Sequence, residues 1–139
     1  MPPDEPGSAS SFIHWLRVAE SDLALARIGT SSNILPELLC FHAQQAVEKS
    51  LKAVLAYFSA PVPRTHNIET VVEALAPYVE IPVEIKELDE LTLYAVGTRY
   101  PSNYEPIDDV DYLDALAKAE QVVAWAKSVC SGKDLHESF

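Results

Sequence analysis

Glycine is scarce in this chain: four in 139 residues, one of them in the N-terminal tail. Strands joined by tight turns use glycine freely, so the scarcity disfavours a sandwich or barrel and favours helices with short connections. Basic residues are few as well. Ten Lys and Arg stand against 21 Asp and Glu, a formal net charge of −11. That balance excludes broad non-specific nucleic-acid binding, which needs many cations on one surface. Any RNA contact requires a local basic patch. Acidity suits a soluble cytoplasmic protein, or one that meets a basic partner. Only two cysteines occur, Cys40 and Cys130, without CxxC or Cys/His spacing. They read as reduced, half-buried thiols, and no metal site is expected. No apolar run approaches membrane-spanning length, so no membrane role is expected. Residues 1–11 are Pro/Ser-rich and acidic, without the basic start and apolar core of a secretory signal. There is no strand alternation, internal repeat or low-complexity segment.

What is present is apolar side chain, 48% of the residues. That is enough for one folded domain with a single core. The expected organisation is a disordered tail over 1–10, a helical domain over 11–131 and a short tail over 132–139. Helical periodicity runs from Phe12 to Ile28, with Trp15, Leu16, Ala19, Leu23 and Ala26 on one side. Ser10 or Ser11 suits its cap and Gly29 its stop. Pro36 fits the first turn of a second, longest helix, about Leu35 to Phe58, which Pro61 and Pro63 end. Asn67 or Thr65 caps a short helix from Ile68 to Leu75. Pro82 precedes a fourth, Val83 to Val96. The last runs from Asp109 to Cys130, with Asp108, Asp109 and Asp111 at its positive end. Long helices with short connections predict an all-α antiparallel up-and-down bundle of four main helices plus a short extra one. Trp15, Leu16, Leu23, Leu39, Ala46, Val54, Leu91, Leu116 and Val123 are the expected core.

The second helix has two faces. Leu39, Ala43, Ala46, Val47, Ser50, Val54 and Tyr57 share one arc; His42, Gln45, Glu48, Lys49 and Lys52 share the other. Glu48 and Lys52 stand at i, i+4 in the favourable order, which reads most simply as a surface ion pair. Lys49 and Lys52 lie within one turn in a chain with six lysines, which also fits a groove that holds phosphate. Gln44 and Gln45 suit a dimer seam.

An opening helix with Trp15 and Ala19-Glu20-Ser21-Asp22-Leu23 is followed by Gln44-Gln45-Ala46-Val47-Glu48-Lys49-Ser50-Leu51-Lys52-Ala53. Then come Thr65-His66-Asn67 and Arg99-Tyr100-Pro101. These pieces, in this order on helices of suitable length, resemble the HEPN family, over roughly Trp15 to Ala126. The resemblance implies a helical bundle that assembles as a homodimer. It implies a partner in many members, a minimal nucleotidyltransferase, with which they form toxin–antitoxin pairs. It implies metal-independent ribonuclease activity in members that carry an arginine followed, after four to six residues, by a histidine. No cofactor is implied.

Here the pattern departs. After Arg99, the positions reserved for histidine hold Tyr104, Glu105 or Pro106. Histidine titrates near 6.5 and serves readily as base or acid; tyrosine, near 10, is a poor base. Arg99 remains a good phosphate clamp. These residues suit binding a nucleotide or RNA phosphate better than cutting one. The candidate catalytic set is Arg99, Tyr104 and His66. The candidate phosphate-binding set is Arg99, Tyr100, Lys49 and Lys52, with Tyr94, Tyr100 and Tyr104 able to stack on bases. The plainer readings are an arginine and proline closing a helix, tyrosines on a core rim, and His66 as a capping or packing imidazole. The competing function is a non-enzymatic scaffold whose cluster of Asp108, Asp109, Asp111 and Asp114 steers a basic partner protein.

Overall fold

The computed structural model describes residues 9–29, 33–87 and 108–132. Five helices lie among them: α1 (Ala9–Ala26), α2 (Pro36–Tyr57), α3 (Ile68–Leu75), α4 (Val83–Lys86) and α5 (Asp109–Cys130). No strand occurs among the described residues. The fold is an all-α bundle.

Local chemistry sets the helix ends. α1 begins ahead of both serines proposed as its cap, at Ala9; nothing in Ser8-Ala9-Ser10-Ser11 forbids helix. Gly29 follows it at φ +94°, a conformation that glycine adopts freely. Pro36 starts α2, where its missing N–H costs nothing. α2 ends before the prolines expected to stop it. Ala60 N–H reaches back to the Leu55 carbonyl at 2.9 Å and Ser59 N–H to Ala56 at 3.0 Å. This is a Schellman cap with serine, φ +59°, in the place usually held by glycine. Asn67 caps α3, its side chain accepting from Thr70 N–H at 3.2 Å. Asp108 and Asp111 form a reciprocal capping box on α5. α4 starts at Val83 as expected, and positions 88–96 of that expected helix, with Leu91, lie outside the described residues.

Contacts between helices give their directions. Phe12 meets Tyr57 edge-on at 5.3 Å, and Asp22 meets His42 at 3.0 Å, so α1 and α2 are antiparallel. The Tyr112 hydroxyl donates to the Ala26 carbonyl, and Lys127 reaches Glu20 at 2.7 Å, so α1 and α5 are antiparallel too. α5 therefore runs parallel to α2, with Cys130 Sγ 3.8 Å from the Ala53 carbonyl. Both thiols are buried, Cys130 pushed up to about 12 by that burial.

α2 is the central element. Leu39, Val47, Leu51, Val54 and Leu55 are fully enclosed, each stabilising the fold by about 1.5–3 kcal/mol relative to exposure. Of the expected core, Leu23, Leu39, Ala46, Val54 and Val123 are buried, while Trp15, Leu16 and Leu116 pack at its margin. The second arc of α2 departs from expectation. Gln44, Gln45, Glu48 and Lys52 are buried, so the Glu48–Lys52 pair is internal, not a surface pair. The reason is that α1, α3 and α5 all pack against α2, which leaves it no open side over these turns.

The Tyr112 hydroxyl ties the start of α5 to the end of α1. Tyr112→Phe leaves the buried Ala26 carbonyl without that donor, and chemical denaturation will show a loss of about 1–2 kcal/mol. A loss below 0.3 kcal/mol (~the resolution of such a comparison) counts against this tie.

Candidate functional site

The centre of the site is a carboxylate in the wrong place. Glu48 is fully buried halfway along α2. An ionised carboxylate there is costly unless it is paired and hydrogen-bonded. Three groups meet that demand. Lys52, one turn on, donates to Glu48 Oε2 at 2.8 Å. Gln44, one turn back, offers its amide to Oε1 at 3.4 Å, a weak contact. His66, from the loop before α3, brings Nδ1 within 3.0 Å and 3.1 Å of the two oxygens.

The network extends beyond Glu48. Gln45 donates to Gln44 Oε1 at 2.8 Å, and Lys49 donates to Gln45 Oε1. Every donor in this run points towards Glu48. The amide orientations follow: a carboxylate only accepts and an ammonium only donates, so Gln44 and Gln45 must face one way. Lys52 also donates to the Thr65 carbonyl at 2.8 Å and sits 5.7 Å above the Trp15 ring. Lys52 and Glu48 thus hold Thr65 and His66 directly, and Thr65 Oγ1 accepts from Asn67 N–H at 3.0 Å.

The electrostatics agree with the geometry. Burial acts to raise the Glu48 carboxyl. The hydrogen bonds from Lys52 and His66 and the charges of Lys52 and Lys49 outweigh it, and the group lies below its ordinary 4.5. Glu48 is therefore an anion at neutral pH. It can only accept, so His66 Nδ1 must carry the hydrogen between them. The ring is otherwise open, 72% exposed as a side chain. Its Nε2 makes no hydrogen bond to another described residue.

The predicted residues fall in three groups. Glu48's network brings His66, Lys49 and Lys52 together. Lys52 is 7% exposed with two of its three donors engaged, so its visible work is internal. Arg99, Tyr100 and Tyr104 lie outside the described residues. Gln44 and Gln45, suited by sequence to a dimer seam, are buried within the chain itself. His42 pairs with Asp22 on α1. Among the described residues, no three His, Cys, Asp or Glu side chains gather as if for a metal ion. Sequence reasoning did not single out Glu48 as the organiser. The available signal was its setting, since Ala46, Val47, Leu51 and Ala53 surround it and leave no room for a solvated face.

Two stability predictions follow from this cluster. Lys52→Met removes the cation and leaves Glu48 charged and enclosed, so unfolding in denaturant will show a loss on the order of 3 kcal/mol; under 1 kcal/mol (~a surface pair) contradicts the burial. Because folding lowers the Glu48 pKa, its stabilisation is present above 4.5 and is lost as pH falls through the lower folded value. The stability difference between the native chain and Glu48→Gln will therefore shrink on acidification below 4.5. A difference constant with pH in that range refutes the assignment.

Comparison with known proteins accords with this architecture. The HEPN domain family matches residues 13–129. The crystal structure of TT1696 from Thermus thermophilus superposes with a TM-score of 0.75 at 25% identity, covering 87% of this chain and 98% of that one. ST0689, an archaeal HEPN homologue, gives 0.68 at 26% identity, covering 86% and 97%. No curated protein matches. With the family pattern spanning nearly the whole described bundle, this chain belongs to the HEPN domain family.

Proposed function

We propose that this HEPN domain binds a phosphate-bearing ligand, a nucleotide or RNA, beside the second half of α2. In this reading Arg99 holds phosphate, Tyr100 and Tyr104 stack or hydrogen-bond, and Lys49 adds charge. The supporting observation is the exposed imidazole of His66, oriented by a buried carboxylate, in a stretch without acids. Residues 49–68 contain no Asp or Glu, in a chain with 21 acidic residues, and Lys49, Arg64 and His66 are the basic residues there that remain for a ligand, since Lys52 is buried against Glu48. Arg64 is exposed beside Thr65. A local cationic region is what an acidic protein needs to attract a phosphate. The protein acts as a homodimer and as one member of a toxin–antitoxin pair with a small nucleotidyltransferase.

The scaffold reading has less support. Asp108 and Asp111 are engaged in capping α5, and Asp114 pairs with Lys118 at 3.0 Å. Their charge already has an internal use.

Fluorescence anisotropy with labelled RNA and with nucleotides tests the binding. Arg99→Ala and Lys49→Ala will each weaken it about tenfold, the loss of one charge-assisted contact, and added salt will weaken the native chain more than either variant. Unchanged affinity in Arg99→Ala removes the proposed clamp. Copurification with a nucleotidyltransferase from the native host tests the pairing.

A further inference from the structure

We propose that a row of aromatic rings at the end of α2 is a docking surface for a proline-rich strand, and that its occupant is this chain's own N-terminal segment, Pro2 to Pro6. The inference is independent of the phosphate reading. The segment also precedes the residues, 13–129, that match the family.

Four rings build the surface. Phe12 on α1 meets Tyr57 edge-on at 5.3 Å, and Tyr57 meets Phe58 edge-on at 5.2 Å. Phe58 then stacks on Tyr78, from the turn after α3, at 6.1 Å and 25°. The row thus crosses from α1 over the end of α2 to the far side of α3. Phe12, Tyr57 and Phe58 are half-buried, and Tyr78 is 43% exposed. The core uses one side of these rings and leaves the other open. An open row of aromatic side chains is the surface that receives polyproline II strands.

The occupant is named by composition and by position. Met1-Pro2-Pro3-Asp4-Glu5-Pro6 holds three of the chain's ten prolines within five positions. Their fixed φ favours polyproline II, so little order is lost on docking. With three residues per turn and a rise of ~3.1 Å, Pro3 and Pro6 share one face about 9 Å apart, while Asp4 and Glu5 turn away from it. That spacing is comparable with the two steps from Tyr57 through Phe58 to Tyr78. The chain enters α1 at Ala9, within a turn of Phe12, at the end of the bundle where α2 stops. Pro6 stands three residues before Ala9 and Pro3 six, giving reaches of about 10 Å and 20 Å, enough to cover the row. Tethering also presents the segment at an effective concentration on the order of millimolar. Residues 133–139 leave the same end, since Gly132 lies beside the Tyr57 hydroxyl, but they contain no proline.

Nuclear magnetic resonance of the full chain tests the docking. Expected are Overhauser contacts from the Pro3 and Pro6 rings to Phe58 and Tyr78, and backbone order parameters at Asp4 and Glu5 above ~0.6, the flexible limit. Tyr78→Ala should drop both order parameters below that limit. The double variant Pro3→Gly, Pro6→Gly should shift the Phe58 and Tyr78 ring resonances while leaving those of the core unchanged. It alters only the segment, so its result does not depend on how Tyr78→Ala folds. Order parameters below the limit in the native chain overturn the proposal, as do ring resonances that ignore the double variant. Contacts from Leu135 or Phe139 in place of the prolines assign the surface to the other terminus and overturn it too. In a mixture of labelled and unlabelled protein, contacts found only between chains give the surface to a second copy's segment and overturn the choice of occupant.

Discussion

The burial of one carboxylate organises the polar interior of this bundle. Glu48 sits in the middle of the helix that every other long element packs against. Its charge is tolerable only because Lys52, His66 and Gln44 converge on it. Each compensating group then fixes something else. Lys52 fixes the Thr65 carbonyl and lies over Trp15, which ties the loop before α3 to α1. Gln44 sets Gln45, and Gln45 holds Lys49. His66 loses rotational freedom about a ring that otherwise stands in water. A hydrophobic residue at position 48 would avoid the desolvation cost altogether. The carboxylate therefore reads as a device for precise placement more than for stability.

Much of the fold was legible in the sequence because its boundaries are written in local chemistry. Pro36, Asn67 and Asp108 mark starts whose capping groups lie within a few residues, and α3 and α5 have the bounds that their periodicity implies. The end of α2 was harder. A Schellman cap built on Ser59 offers no glycine to read, so the nearest visible stop was Pro61. The larger misreading concerned the polar arc of α2. Periodicity assumes that a polar stripe faces water, and that assumption fails for a helix surrounded on all sides. His66 was visible as a residue of interest, but its pairing with a residue 18 positions earlier is a tertiary fact. The tautomer that follows from it needs the coordinates. Arg99, Tyr100 and Tyr104 stand on the sequence pattern alone.

The electrostatic layout has a similar logic at larger scale. The chain as a whole is strongly acidic, and the segment from Lys49 to Ile68 holds no Asp or Glu, although its Lys52 is matched by the buried Glu48. Such a contrast disfavours non-specific capture of nucleic acid. Elsewhere a few acids are matched locally. Arg27 meets Glu120 at 2.9 Å and Lys127 meets Glu20 at 2.7 Å across α1 and α5, exposed pairs that orient more than they stabilise.

The anchoring of Thr65 and His66 also bears on how the molecule breathes. A surface loop ordinarily opens by itself, at little cost, long before the core does. This one cannot lift away without stripping the buried Glu48 anion of His66 and the buried Lys52 of the Thr65 carbonyl. Its fluctuations are therefore coupled to those of α2, and the entrance to α3 behaves as part of the core cooperative unit. In amide exchange, Asn67 and the first turn of α3 would then be released together with the central helix, instead of flickering independently as their position at the surface suggests.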